Sequence, residues 1–152
     1  MTSFRLDGRV ALVTGAGQGL GASISIAYAE AGASVVLLGR TESYLKDTAD
    51  AIRKAGGEAS LIVCDVTNDE KLRKAFSGLD RLDILVNNAG TNFPEPFIEV
   101  SDNHLDAMLD LNVRACFVAA QAAVQVMLKS ADLAEHGASV VNMSSQMGHV
   151  GS

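Results

Sequence analysis

A chain of 152 residues, 48% apolar and 20% charged, has the composition of one folded domain with a single core and no disordered tract. A formal net charge of −6 excludes the broad basic face that nucleic acid or an anionic membrane surface would require. The opening residues Met1 to Asp7 carry no basic start followed by an apolar run, and no stretch reads as a membrane span, so the expectation is a cytoplasmic protein with neither partner.

The first predicted strand, at about residues 10–14, is the apolar run Val10 to Val13 closed by Thr14, and it leads into Gly15-Ala-Gly17-Gln18-Gly19-Leu20-Gly21. Glycines here permit backbone dihedrals closed to other residues and remove the Cβ atoms that would keep a pyrophosphate from the backbone N–H groups. The helix that follows is predicted to turn Leu20, Ile24, Ala27, Tyr28 and Ala31 inward, and Gly32 ends it. Strand, glycine turn and helix together read as a dinucleotide cradle, with a ligand-free tight turn as the alternative. A phosphate loop of the Lys-Ser/Thr type is excluded, because no Lys closes the turn. The spacing G-x-G-x-x-G/A fits only from Gly17 to Ala22, since Leu20 occupies the place of a small residue when counting starts at Gly15.

Further strands are predicted at about 34–38, 60–64, 83–87 and 139–144, alternating with helices. This alternation predicts an α/β fold, a doubly wound parallel sheet of Rossmann type, with apolar strands covered on both faces. Each strand's carboxyl end, where such sheets bind ligands, carries something chemically distinctive. After the second stands Gly39-Arg40, with no carboxylate to hold a ribose 2′-OH. A guanidinium there suits a 2′-phosphate, so NADP(H) is favoured over NAD(H), the alternative being a solvated arginine. Asp65-Val66 follows the third strand, where the carboxylate is suited to accepting from backbone N–H groups of the turn. Asn87-Asn88-Ala89-Gly90 ends the fourth, and alone it would be an ordinary turn sequence.

The longest helix, about 104–130, shows Leu105, Leu109, Val113, Cys116, Ala120, Val124 and Met127 at spacings of three and four, with Met108 beside them, which predicts a buried stripe. Asn112 lies within it and must find hydrogen-bond partners if buried. Cys64 and Cys116 have no metal or redox spacing and read as small core residues. His104 and His136 read as solvated; His149, after the last strand, is the one histidine placed to face a ligand, and no metal site is expected.

Three segments carry a family resemblance: Thr14-Gly15-x-x-x-Gly19-x-Gly21, Asn87-Asn88-Ala89-Gly90, and Val140-Val-Asn-Met-Ser-Ser-Gln-Met-Gly148. Together they resemble the short-chain dehydrogenase/reductase family, over essentially the whole chain. The resemblance implies that Thr14, Gly15, Gly17, Gln18, Gly19, Leu20 and Gly21 form the cofactor loop. It implies that Arg40 meets the adenosine ribose, that Asp65 accepts from the adenine amino group, and that Val66 packs on the ring. Asn87, Asn88, Ala89 and Gly90 would hold the sheet and line the cleft. Asn112 would organise a water in a proton relay, unless it faces solvent or bonds locally. Ser145, rather than Ser144, would hydrogen-bond a substrate carbonyl, unless it serves as a cap. Many NADP-preferring relatives add a basic residue in the glycine loop, where this chain has Gln18.

Relatives also place Tyr-x-x-x-Lys on the helix after this strand, the Tyr as general acid or base. Tyr28 and Tyr44 stand in the first and second helices, and neither is followed four residues later by Lys. The expectation is therefore an amino-terminal portion of a reductase, one domain over 1–152 with the carboxyl-terminal part of the fold missing. Its fifth strand would be an exposed apolar edge, and its long helix would lack a neighbour. The implied function is NAD(P)-dependent transfer of a hydride between nicotinamide and a carbonyl or secondary alcohol. The substrate would be a small molecule such as a 3-oxoacyl thioester, a sugar or polyol, or a steroid-like ketone, and the full-length protein would be a homo-oligomer. The alternative is a truncated, non-catalytic dinucleotide-binding module.

Overall fold

Each strand is followed by a segment that crosses back over the sheet, so neighbouring strands run parallel. The computed structural model describes residues 4–145. In chain order they form β1 (Val10–Thr14), α1 (Gly19–Glu30), β2 (Ser34–Gly39), α2 (Glu42–Lys54), β3 (Glu58–Val63), α3 (Asp69–Ser77) and β4 (Ile84–Asn87). There follow α4 (Asp102–Leu109), α5 (Ala115–Met127), the short α6 (Leu133–His136) and β5 (Ser139–Asn142). The strand order is β3-β2-β1-β4-β5, all parallel, with Val10 opposite Ser34, Ala11 opposite Ile84 and Asn87 opposite Asn142. The order reverses direction between β1 and β4, the crevice where doubly wound sheets take ligands.

Alternation along the strands divides the core into two layers. Leu12, Val36, Leu38 and Leu85 pack with Leu72 and Phe76 of α3 and with the buried side of α5. Ala11, Val13, Val35 and Leu37 point the other way, onto Leu45, Ala49 and Ile52 of α2 and onto partly buried Ile24, Ile26 and Tyr28 of α1. Two-sided coverage holds for β1, β2 and β4 but not at the edges: Val63 of β3 is 54% exposed, and β5, the last strand of the sheet among the described residues, is exposed along its length.

Two inward faces differ from expectation. In α1 the buried residues are Gly21 and Ser25, while Leu20 is exposed. Small residues let this helix approach the sheet closely, and the Ser25 hydroxyl is satisfied by the Gly21 carbonyl at 2.7 Å. In the long helix, Leu105, Leu109, Val113 and Val124 are exposed, and of the predicted stripe only Met127 is fully buried. The inward residues of α5 are Ala115, Val118, Ala119, Ala122, Ala123, Val126 and Met127. Two things combine: α4 has no buried residue on any face, which leaves Leu105 and Leu109 outside the core, and a π-helical turn, Asp110–Arg114, separates it from α5. One extra residue in a turn rotates everything downstream by about 100°, so a constant 3.6-residue period cannot carry across it. By length and composition the run Asp102–Met127 would reach across a bilayer, contrary to expectation. Its α5 half is a core helix packed on the sheet and α3.

At the amino ends of the strands, Asp83 ties three strands together. Its buried carboxylate accepts from the Val10 N–H (2.8 Å), from Arg9 (3.1 Å) and from Arg81 through two bonds of 2.8 Å. Its own N–H donates to Val10 O and its carbonyl accepts from Ser139 N, each at 2.9 Å. Arg9 continues to the carbonyls of His136 and Gly137, and Arg81 to Asp132, whose other oxygen accepts from Ser130. Burial pushes the Asp83 carboxyl up, but Arg81, the Val10 amide and Arg9 outweigh it and hold the group below the ordinary range. Ser130 and Arg81 hold Asp132 down at about 2. Both groups therefore add stability that is complete above about pH 5 and lost as pH falls through their lowered folded-state values. Asp83→Ala, which leaves the Val10 amide without its acceptor and takes the shared carboxylate from Arg9 and Arg81, is expected to cost about 2 kcal/mol in urea denaturation at pH 7, and the difference from the unaltered chain should shrink on titration towards pH 3.

Candidate functional site

The side chain that organises the ligand edge of the sheet is Thr14, the last residue of β1 and 2% exposed. Its Oγ1 accepts from the N–H groups of Asn88 and Ala89, each at 3.0 Å, and donates to Val86 O at 3.4 Å. Asn88 replies through Nδ2, which donates to Thr14 O at 3.0 Å and Gly15 O at 3.4 Å. The turn after β1 is thus bonded to the turn after β4, and the glycines are what that closeness requires. A Cβ on Gly21 would run into the Gly15 carbonyl and lie 2.6 Å from Asn88 Nδ2; one on Gly17 would lie 2.9 Å from Tyr44 Cβ of α2. Gly19 has φ +56° with nothing within 4 Å of a Cβ position, so there the requirement is conformational.

A cleft of about 340 Å³ opens over these turns. It brings together Gly15, Gly17, Gln18, Gly19, Arg40, Asp65, Val66, Asn88, Ala89 and Gly90, contributed by the ends of four strands. Thr14 and Asn87 are buried behind it, and Gly21 is packed beneath the turn. Leu20 is 68% exposed and does not line the cleft. Gln18 caps α1 without a side-chain hydrogen bond, and the first turn carries no acidic residue, so its amide N–H groups are uncapped by side chains. Thr41, Tyr44 and Leu111 also line the cleft, although sequence reasoning did not single them out for it. Thr41 had a legible signal, as the first polar residue before α2.

Asp65 is held in two ways. Its Oδ1 accepts from Thr67 N (3.0 Å) and Thr67 Oγ1 (2.8 Å), the turn role read from the sequence. Its Oδ2 lies 4.0 Å from Arg40 Nη1. Burial raises its pKa, but the Thr67 bonds, with Arg40 and Lys71 nearby, bring it below the ordinary value and keep it ionised. Asn87 donates through Nδ2 to Asn142 Oδ1 (2.9 Å) and Cys116 O (3.3 Å), tying β4 to β5 and α5. Asn142 was missed, though a polar residue ending an apolar strand opposite Asn87 was a usable signal.

Asn112 sits in the π turn, exposed rather than buried, yet its amide is fully engaged at long range. Oδ1 accepts from Thr91 N at 2.9 Å, and Nδ2 donates to Thr91 O at 2.8 Å. A Cβ on Gly90 would come within 3.2 Å of the same oxygen. The loop after β4 is pinned again where the His104 ring stacks on Phe93 (centroids 4.3 Å, 4°) and meets Glu95 at 2.9 Å, so this histidine is not merely solvated. Ser145 is exposed, three residues past the end of β5 on the same sheet edge. His149 lies outside the described residues. The Cys64 and Cys116 thiols are pushed up by burial, consistent with small packing residues.

A five-stranded parallel sheet with this glycine turn at its switch point is a Rossmann-type α/β fold. The short chain dehydrogenase family model matches residues 9–152, and the chain belongs to that family. It is 38% identical over 151 residues to an uncharacterised oxidoreductase of Mycobacterium tuberculosis, covering 97% of this chain and 56% of the relative. A Beutenbergia cavernae structure, described as a candidate NAD(P)-dependent gluconate 5-dehydrogenase with NADP bound at low occupancy, superposes with a TM-score of 0.88 at 36% identity over 99% of this chain and 59% of that one. A 7α-hydroxysteroid dehydrogenase complexed with NADH and 7-oxo glycochenodeoxycholic acid gives 0.88 at 34% identity, over 99% and 58%. The chain thus spans a little under three fifths of the length of these relatives.

Thr14→Val removes the acceptor of two amide N–H groups in the wall of the cleft and is expected to cost about 2 kcal/mol in thermal or urea unfolding. Thr14→Ser, which keeps the hydroxyl, should cost less than about 1 kcal/mol.

Proposed function

We propose that the chain is the dinucleotide-binding part of an NAD(P)-dependent oxidoreductase acting on the carbonyl or secondary alcohol of a small molecule. The observation that carries this reading is the convergence of the glycine turn after β1, Arg40 after β2 and Asp65 after β3 on one cleft of about 340 Å³. That volume is within the usual range for cofactor sites. The glycine cradle without Cβ atoms and the uncapped start of α1 fit a pyrophosphate, and the NADP and NADH held by two structural neighbours support a nicotinamide dinucleotide.

In this reading the amide groups of residues 17–21 hold the pyrophosphate. Val66 packs against the adenine, and Asp65 Oδ2 accepts from its amino group. Arg40, with no carboxylate beside it on Gly39, pairs with a 2′-phosphate, which favours NADP(H) over NAD(H). The bound cofactor supplies the hydride donor or acceptor. Ser145 donates to the substrate carbonyl oxygen and stabilises the alkoxide that develops there. Asn112 acts through its clamp on Thr91, fixing the loop after β4 beside the cleft. Gluconate- and hydroxysteroid-type relatives support a sugar, polyol or steroid-like substrate, and a 3-oxoacyl thioester fits the same carbonyl chemistry.

The test is NADPH and NADH binding to the natural protein by nicotinamide fluorescence, followed by carbonyl-dependent cofactor oxidation. Binding and turnover are expected, with Ser145→Ala lowering kcat on the order of 10²-fold and leaving cofactor affinity intact. Absence of dinucleotide binding would overturn the reading, whereas binding without any turnover would favour a non-catalytic binding module.

A further inference from the structure

Arg40 forms a single ion pair among the described residues, and its partner is Asp65. The two side chains come from the ends of adjacent strands, β2 and β3, and both line the cleft over the glycine turn. They also border a second depression of about 530 Å³, beside Thr67, Asn68 and Lys71, so the pair stands between the two. The partners differ in freedom. Asp65 is fixed, because Thr67 takes its Oδ1 through two hydrogen bonds and leaves Oδ2 facing Arg40. The Arg40 side chain is 73% exposed and makes no side-chain hydrogen bond among the described residues, so the ion pair at 4.0 Å is its one polar tie. An exposed cation without a hydrogen bond is attracted to the fixed anion beside it, and that attraction must be given up when the guanidinium turns to another anion.

We infer that Asp65 is a specificity-determining residue, which sets the preference between NADP(H) and NAD(H) by competing with the 2′-phosphate for Arg40. The inference rests on the dinucleotide reading of the cleft. Adenine is common to both cofactors, so any contact of Asp65 with the adenine amino group cancels when their affinities are compared. Its hold on Arg40 does not cancel, because only the phosphorylated ribose needs the guanidinium. A carboxylate that helps to seat either cofactor therefore works against the one carrying the extra phosphate.

The experiment is a double-mutant comparison of NADPH and NADH affinities by fluorescence titration, on the natural full-length protein and its Asp65→Asn, Arg40→Ala and doubly substituted forms. Asn keeps the Oδ1 that accepts from Thr67, so the turn is preserved. Asp65→Asn is expected to raise the NADPH-to-NADH affinity ratio about two- to fivefold, the size of one exposed ion pair. The same substitution made on the Arg40→Ala form should leave the ratio where it was. Equal loss of both affinities in Asp65→Asn would overturn the inference while leaving the cofactor reading standing. So would a ratio shift of the same size with and without Arg40, which would assign the effect to bulk charge. If the unaltered protein binds neither dinucleotide, the cofactor reading fails and the inference falls with it.

Discussion

The hydroxyl of Thr14 is the contact on which the ligand edge of the sheet depends. Two parallel strands joined only by their ladder would diverge past their last paired residues, because sheets twist and the chain must leave towards a helix. Here one oxygen receives two amide groups from the segment after β4, and Asn88 returns two bonds to the carbonyls of Thr14 and Gly15. The glycine turn and the Asn-Asn-Ala-Gly segment are therefore one structure built from two distant pieces of chain. Gly21 is a consequence of that bonding, since the space of its missing side chain is filled by the Gly15 carbonyl and the Asn88 amide.

The rest of the cleft is assembled outward from this junction by side chains that grip backbone. Asn87 holds the carbonyl of Cys116 and the side chain of Asn142, which sets α5 and β5 against β4. Asn112 grips both polar groups of Thr91, and the π turn presents it for that purpose while α5 keeps its small residues on the sheet. The loop between them is long and irregular, yet its backbone groups at Thr91 are satisfied from the helix it precedes.

Much of this was legible in the chain because its apolar runs are short, continuous and separated by helical segments. The five predicted strands match the observed ones closely, and the Thr14 to Gly21 turn lies at the switch point as its spacing implied. What was not legible has three physical causes. Periodicity assumes a constant 3.6 residues per turn and a covered apolar side, so the π turn at 110–114 shifted the inward face of α5, while α4 before it has no buried side at all. Inward faces built from small or polar residues are also silent: Gly21 and Ser25 of α1 are buried because they are small and internally bonded, which a hydrophobic pattern cannot show. The partners of Asn112 and Asp83 are largely backbone groups or residues far away in sequence, information carried by topology alone.

The Asp83 cluster and the cleft occupy opposite ends of the same short strands, roughly 15 Å apart at about 3.3 Å per residue. Substitutions at that separation act nearly independently when they share no partners. The ion cluster fixes how the strands line up, and the carboxyl-terminal turns decide what they hold. Substitutions among the exposed residues at the rim of the cleft can therefore change what is held without disturbing how the strands line up, whereas Thr14, buried beneath that rim, answers to both demands.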